Sequence, residues 1–388
     1  MAVEHGGRRQ AAARQFGLSP SAIIDFSANI NPLGPPPGLG AYLARCLTEV
    51  AYYPDPEYGE LKTALKRWLQ TTAAVVLGNG AAELIYLLPQ ALRPRRVLVV
   101  EPAFGEYAAA ARAAGAQVER LILAPEKGFA LAAADLAASL REVEMCFLGH
   151  PNNPTGDFLL DRETLVTLAD RYPGCLFVVD ESFLEFVPGA RPDLSVVPFV
   201  GRYANLCVLY SLTKFYALPG LRLGCAVVAP VLAAKLEECS PPWRINVLAA
   251  RAGIFVLQQS GYATYTRSLV GREREFLCRG LEELGFMPFP AKANFLLVSL
   301  KAVRLSGTTV QRALGPKGIL VRRCASFPGL GDHYLRLAVR LPWENRYLLR
   351  LLTSFVGEPE GGDERNDAAD SHSAWGDGLE LPRTVPGS

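Results

Sequence analysis

The chain is short of net charge, of paired cysteines and of long apolar runs, and each shortage removes a class of function. Lysine plus arginine number 40 against 38 aspartate plus glutamate in 388 residues. A nucleic-acid or anionic-membrane binder more often shows a basic domain or stripe, and none is present. Eight cysteines stand at 46, 146, 175, 207, 225, 239, 278 and 324, none in a C-x-x-C pair and most within apolar runs. Buried, reduced thiols are therefore expected, not a disulfide framework. The opening MAVEHGGRRQ has no apolar stretch behind its basic residues, so no signal peptide is expected. No apolar run approaches the ~20 residues of a membrane-spanning helix, and no internal repeat is visible. A soluble cytoplasmic protein is the expectation.

What is present is ample material for a core. Half the residues are hydrophobic and 20% are charged, and the length suits two domains. RRVLVVEP (95–102), EMCFLGHP (144–151), CLFVVDES (175–182) and NLCVLYS (205–211) are apolar runs of strand length. Helical patterns lie between them, as over 105–115 and 161–172. Strands apolar on both faces and separated by helices predict an α/β domain with a mostly parallel central sheet. Past Pro241-Pro242, long helical patterns (245–285) precede the strand-like NFLLVSL (294–300) and YLRLAVRL (334–341), which predict a smaller α+β domain. The expected layout is an irregular N-terminal arm over 1–40 that contributes to the small domain and the substrate site, a large domain over 41–240, a small domain over 241–356, and a disordered tail over 357–388 rich in Gly, Asp, Glu, Ser and Pro.

The strongest chemical signal is the run Ser211-Leu-Thr-Lys214-Phe-Tyr-Ala-Leu-Pro-Gly-Leu-Arg222-Leu-Gly224, directly after a predicted strand. A lone loop lysine is usually a solvated charge. Here hydroxyls stand at Ser211 and Thr213, and Arg222 follows eight residues on. A lysine that must be a neutral nucleophile needs a partly desolvated site, and the hydroxyls with the arginine suit a phosphate monoester beside it. Upstream, Gly78-Asn-Gly80-Ala81-Ala82-Glu83 opens a helical pattern. Small residues there leave backbone N–H groups free for a phosphate, although a plain turn before a helix reads the same way. Asp180 ends the run CLFVVD, where a carboxylate at the end of a buried strand is unlike a mere solvated charge.

The lysine run resembles the motif S/T-x-S/T-K-x-x-x-x-x-G-x-R-x-G of fold-type I pyridoxal 5′-phosphate (PLP) enzymes, in the class I/II aminotransferase family and its histidinol-phosphate aminotransferase-like branch. The resemblance implies that Lys214 carries PLP as a Schiff base. It implies that the Ala81 and Ala82 amides, Ser211, Thr213 and Arg222 hold the cofactor phosphate, that Asp180 pairs with the pyridinium nitrogen, and that Asn153 of Pro151-Asn-Asn153-Pro-Thr-Gly156 donates to the ring's 3′ oxygen. Phe104, in EPAFGEY, matches the aromatic residue stacked on the ring, and Tyr53 matches a tyrosine that reaches the phosphate of a neighbouring subunit, which implies a homodimer. Many relatives carry a tyrosine three residues after the aspartate; Phe183 stands there instead, removing a hydrogen bond worth only ~1 kcal/mol net.

Arg336, on the predicted strand YLRLAVR, matches the arginine that grips the substrate carboxylate, and a planar guanidinium suits that task. Arg322 matches the residue that takes the substrate phosphate, while Arg323 should point the other way, into solvent. HGG at 5–7, DFSANINPLG at 25–34 and CASFPGL at 324–330 are similar to the threonine-phosphate decarboxylase branch, and the likeness runs over about residues 4–356. It implies decarboxylation of O-phospho-L-threonine to (R)-1-aminopropan-2-yl phosphate in cobalamin biosynthesis, with His5, Gly6, Asn29 and Asn153 among the substrate contacts. Histidinol-phosphate aminotransferase, O-phospho-L-serine decarboxylase giving ethanolamine phosphate, and a PLP-binding regulatory module are the alternatives. Relatives with a Cys/His-rich metal-binding extension exist, but this tail has one His372 and no cysteine, so no metal is expected.

Overall fold

The computed structural model describes residues 5–356, and the expected tail over 357–388 lies outside them. A short strand in the arm, β1 (Ile24–Asp25), precedes a seven-stranded sheet. That sheet comprises β2 (Ala74–Asn79), β3 (Arg96–Glu101), β4 (Gln117–Ile122), β5 (Met145–Gly149), β6 (Leu176–Asp180), β7 (Leu206–Ser211) and β8 (Leu223–Val228), in the spatial order β2-β8-β7-β6-β5-β3-β4. Only β8 runs antiparallel to its neighbours. Both faces are covered, as the apolar runs require. Val208 and Tyr210 enter one hydrophobic layer, whereas Cys207 and Leu209 enter the other, the period of two expected of a strand. The polar run QVERLI hid β4 as a strand, because it is the sheet's half-exposed edge.

A second, four-stranded antiparallel sheet runs β12-β13-β10-β9, from β9 (Met287–Pro288), β10 (Phe295–Ser299), β12 (Arg322–Arg323) and β13 (Tyr334–Ala338). Its apolar face packs against Leu277 and Leu281 of the helix Ser260–Glu283 and Leu348 and Leu352 of the helix Pro342–Val356. The arm joins this unit, since β1 pairs in parallel with β11 (Ile319–Leu320) and Phe26 lies in the same core.

Two stretches differ from the sequence reading. The arm is not irregular throughout: Arg9–Phe16 is a helix, stopped by Gly17 at φ 67°. Its Ala12 and Ala13 are buried against Ile23 and Leu320, a tertiary contact that the alanine run does not announce. The helix Val247–Val256 lies beyond the expected boundary at 241, yet Ala249, Ala252 and Val256 sit in the core beside Leu61 and Leu65. That helix packs against the helix Gly59–Leu69. All eight cysteines are free, six of them buried.

Candidate active site

Chain ends of parallel strands converge where helices begin, and ligands in α/β sheets gather there. At the C-terminal ends of β2, β6 and β7 lies a cavity of about 390 Å³, closed on its other sides by the arm and the small sheet. At one end is an anion cradle. Gly80, at φ 78°, turns the chain from β2 into the helix Ala81–Leu92, whose N-terminus has no side-chain cap. Ser211 Oγ and Thr213 Oγ1 are 2.7 Å apart, and Ser211 caps the short helix Leu212–Phe215. Arg222, itself at φ 60°, lies so close that a Cβ on Gly80 would come within 2.3 Å of its Nη2, while a Cβ on Gly224 would fall 2.5 Å from the Ala81 nitrogen. Backbone N–H groups, two hydroxyls and a guanidinium thus share one space that only glycine leaves open.

At the far wall Asp180 is buried. Its Oδ1 accepts from the Ser182 N–H at 2.9 Å and its Oδ2 from Tyr107 Oη at 2.7 Å. Phe104 lines the cavity beside them. Phe183 packs edge-on against Phe295, with ring centroids 5.0 Å apart, so the position where relatives carry a phenol is part of the apolar wall.

Lys214 lies between the cradle and the carboxylate. Desolvation, aided by the positive charges of Arg222 and Arg336, lowers its pKa to about 8, against a smaller pull from Asp180. Its own backbone is tied to the arm: the carbonyl accepts from the Asn31 N–H at 3.1 Å, and Asn31 Nδ2 donates to the Phe215 carbonyl at 2.7 Å.

The opposite side of the cavity is cationic. Arg322 on β12 and Arg336 on β13 are directly opposed across the strands, both buried and both lining the cavity. Arg336 donates to Asn153 Oδ1 at 2.6 Å and to the Ser27 carbonyl at 2.7 Å; Arg322 donates to Ser326 Oγ at 2.7 Å. Burial pushes the Arg336 guanidinium down to about 10. Like charges on opposed cross-strand positions are destabilising, so the pair fits an anionic ligand. Asn29 is buried with its Oδ1 lacking a partner. His5 and Gly6 complete the rim; a Cβ on Gly6 would lie 2.1 Å from the Ser27 carbonyl oxygen, so the arm can approach only as glycine.

The cavity therefore gathers Lys214, Asp180, Asn153, Phe104, Ala81, Ala82, Ser211, Thr213, Arg222, His5, Gly6, Asn29, Arg322 and Arg336. Tyr53 is not among them. It is 79% exposed and stacks on Trp243 at 4.4 Å between centroids. Arg323 does face away from the cavity, but it is not simply solvated: it donates to Thr308 Oγ1 at 2.8 Å and approaches Asp332. Two cavity residues, Tyr107 and Glu106, escaped the sequence reading, and so did Tyr86, which bonds Glu106. Tyr107 holds Asp180, and Glu106 bridges Tyr86 and His5. Nothing local marks them, since each acts through a contact far along the chain.

This donor set fits PLP: cradle for phosphate, lysine for aldehyde, aromatic residue for the ring face and carboxylate for the ring nitrogen. A two-sheet α/β fold with a lysine at the mouth of the parallel strands defines the fold-type I class. The aminotransferase class I and II model matches residues 21–352, and the chain belongs to that family. Threonine-phosphate decarboxylase from Salmonella typhimurium is 37% identical over 91% of this chain and 96% of its own. Among solved structures, L-threonine-O-3-phosphate decarboxylase from Porphyromonas gingivalis superposes with TM-score 0.76 at 26% identity, over 86% of this chain and 99% of that one. Histidinol-phosphate aminotransferase from Clostridium acetobutylicum gives TM-score 0.80 at 29% identity, over 85% and 98%.

Proposed function

We propose that the protein decarboxylates O-phospho-L-threonine to (R)-1-aminopropan-2-yl phosphate, a step of cobalamin biosynthesis. The observation that carries this reading is the opposed pair Arg322 and Arg336 in the same cavity as Lys214. A ligand with two anionic groups answers both guanidinium groups, and a phosphorylated amino acid has them. The relatives named for phosphothreonine support that choice.

PLP, when bound, supplies the electron sink for the pair released as a bond at the substrate's Cα breaks. Lys214, the Ala81 and Ala82 amides, Ser211, Thr213, Arg222, Asp180, Asn153 and Phe104 would hold it. The protein's own residues choose the bond. Transamination would break the substrate's Cα–H bond, whereas decarboxylation would break its Cα–carboxylate bond, so the protein must present one and not the other. With Arg336 at the carboxylate and Arg322, His5 and Asn29 at the phosphate, two anchored points fix the substrate's rotation. Loss of carbon dioxide leaves an electron pair at Cα that one proton must replace. Lys214, its pKa lowered to about 8, would deliver that proton.

Tyr53 supports a homodimer in which each chain's exposed tyrosine completes the partner's phosphate cradle. The free cysteines suit a reducing cytoplasm, and no described helix is long and apolar enough to cross a membrane. The decisive experiment is incubation of the holoenzyme with phosphothreonine and no keto acid. Release of carbon dioxide is expected. No release, with glutamate formed from histidinol phosphate and 2-oxoglutarate, would assign an aminotransferase instead. Phosphoserine, lacking one methyl, should react more weakly by ~1–3 kcal/mol of discrimination.

A further inference from the structure

Glu106 opens the helix Glu106–Ala113 at the cavity rim and uses both carboxylate oxygens. Oε2 accepts from Tyr86 Oη at 2.5 Å, and Oε1 meets His5 Nε2 at 2.6 Å. The carboxylate is well covered, at 14% exposure, while His5 remains 48% exposed. Tyr86 comes from the helix whose N-terminus forms the anion cradle, Glu106 stands two residues after Phe104 in the cavity wall, and His5 belongs to the arm. One carboxylate thus ties together three segments that line the cavity.

This placement needs a reason, because a carboxylate at the rim of a site for doubly anionic substrates should repel them. His5 stands in contact with it and supplies one. A histidine ring can engage a partner through each of its two nitrogens. With Nε2 engaged by Glu106, Nδ1 is left for a phosphate oxygen, and the imidazole ring separates the two anions. The Tyr86 bond keeps the carboxylate from rotating away. Two further contacts hold the first residues of the arm: the Gly7 N–H donates to Ser27 Oγ at 2.9 Å, and the His5 ring lies tilted beside Phe104 at 5.9 Å between centroids.

We propose that Glu106, braced by Tyr86, is a positioning residue that pins His5, and with it the first residues of the arm, over the substrate phosphate. The inference rests on the reading in which the ligand is a phosphorylated amino acid. It ties the start of the arm to a residue 101 positions away.

The test uses the holoenzyme and two readouts. Glu106→Gln keeps the shape and removes the charge. It should raise KM for phosphothreonine roughly tenfold with kcat within about twofold, the pattern of lost ground-state binding. Tyr86→Phe, which leaves the carboxylate in place, should raise KM about threefold by the same reasoning. The double variant His5→Ala with Glu106→Gln should be no worse than His5→Ala alone, because one residue acts through the other. Independently, trypsin cleavage after Arg8 and Arg9 should quicken about tenfold in Glu106→Gln, since cleavage follows the opened population. Retention of the bound cofactor's visible absorbance shows that each variant is folded. Additive losses in the double variant, or an unchanged KM together with unchanged trypsin cleavage, would overturn the proposal. A parent enzyme that leaves phosphothreonine untouched sinks the decarboxylase reading, and the trypsin comparison then decides the clamp by itself.

Discussion

Tyr107 Oη donates to Asp180 Oδ2 at 2.7 Å from a ring stacked on Phe147, with centroids 5.1 Å apart and planes 8° from parallel. Burial, and the carboxylate itself, hold the phenol's pKa well above its ordinary value, so it stays a donor at every working pH. With the Ser182 N–H on the other oxygen, each oxygen of Asp180 is fixed by one bond and keeps a lone pair for the cofactor. Tyr107→Phe removes one charge-assisted bond from this buried acceptor. Such bonds contribute ~1.5–3 kcal/mol. The variant should retain PLP, show a shifted visible absorbance band and lose tenfold or more in kcat, read by steady-state kinetics beside a spectral titration.

Gly80→Ala tests the cradle. The new Cβ would sit 2.3 Å from Arg222 Nη2, on a backbone held at φ 78°. The long arginine side chain can swing aside, but only by leaving the phosphate. A strained left-handed residue adds ~1 kcal/mol or more. PLP affinity should therefore fall at least tenfold, measured by equilibrium dialysis, while the thermal unfolding of the cofactor-free protein shifts by only a few degrees. Equal affinity in the two proteins would remove Gly80 and Arg222 from the phosphate site.

The lysine's chemistry should carry a pH mark. In the cofactor-free protein desolvation lowers the Lys214 pKa to about 8, so the neutral amine predominates above that pH and the ammonium below it. Only the neutral amine attacks an aldehyde. The rate of PLP uptake should climb as pH rises from 6 and level off above about 8, where an ordinary lysine would keep rising towards ~10.4. Stopped-flow absorbance at the aldehyde band reads this directly. A rate still climbing steeply at pH 9 would show that the lysine is not desolvated.

How legible this site is in sequence depends on how far apart its parts lie. Lys214, Ser211, Thr213 and Arg222 fall within one block of fourteen residues (211–224), where strand end, hydroxyls and glycines are readable together. The apolar runs of β3, β5, β6 and β7 also announce themselves, because strands covered on both faces need no polar alternation. The contacts that brace the site do not. Tyr107 and Asp180 are 73 positions apart, and His5 and Glu106 are 101 apart; neither pair forms a pattern until the fold brings them together. The helix Arg9–Phe16 was hidden for a related reason: its support comes from Leu320, far along the chain. Arg323 reads as a free charge because Thr308 and Asp332 reach it only through folding.

The reversal of β8 fixes how much the chain can change at this place. Because β8 runs against both neighbours, Gly78, Gly224 and Ser211 stand abreast in one transverse row of the sheet, and Arg222, the residue before β8, returns beside Gly80, the residue after β2. A parallel strand there would need a long crossover and would start at the other end of the sheet. The row leaves no slack. Deleting or inserting one residue between Lys214 and Gly224 would slip β8 against both partners and turn each of its side chains to the opposite face. Loop-length variation between related chains should therefore collect elsewhere and spare this turn.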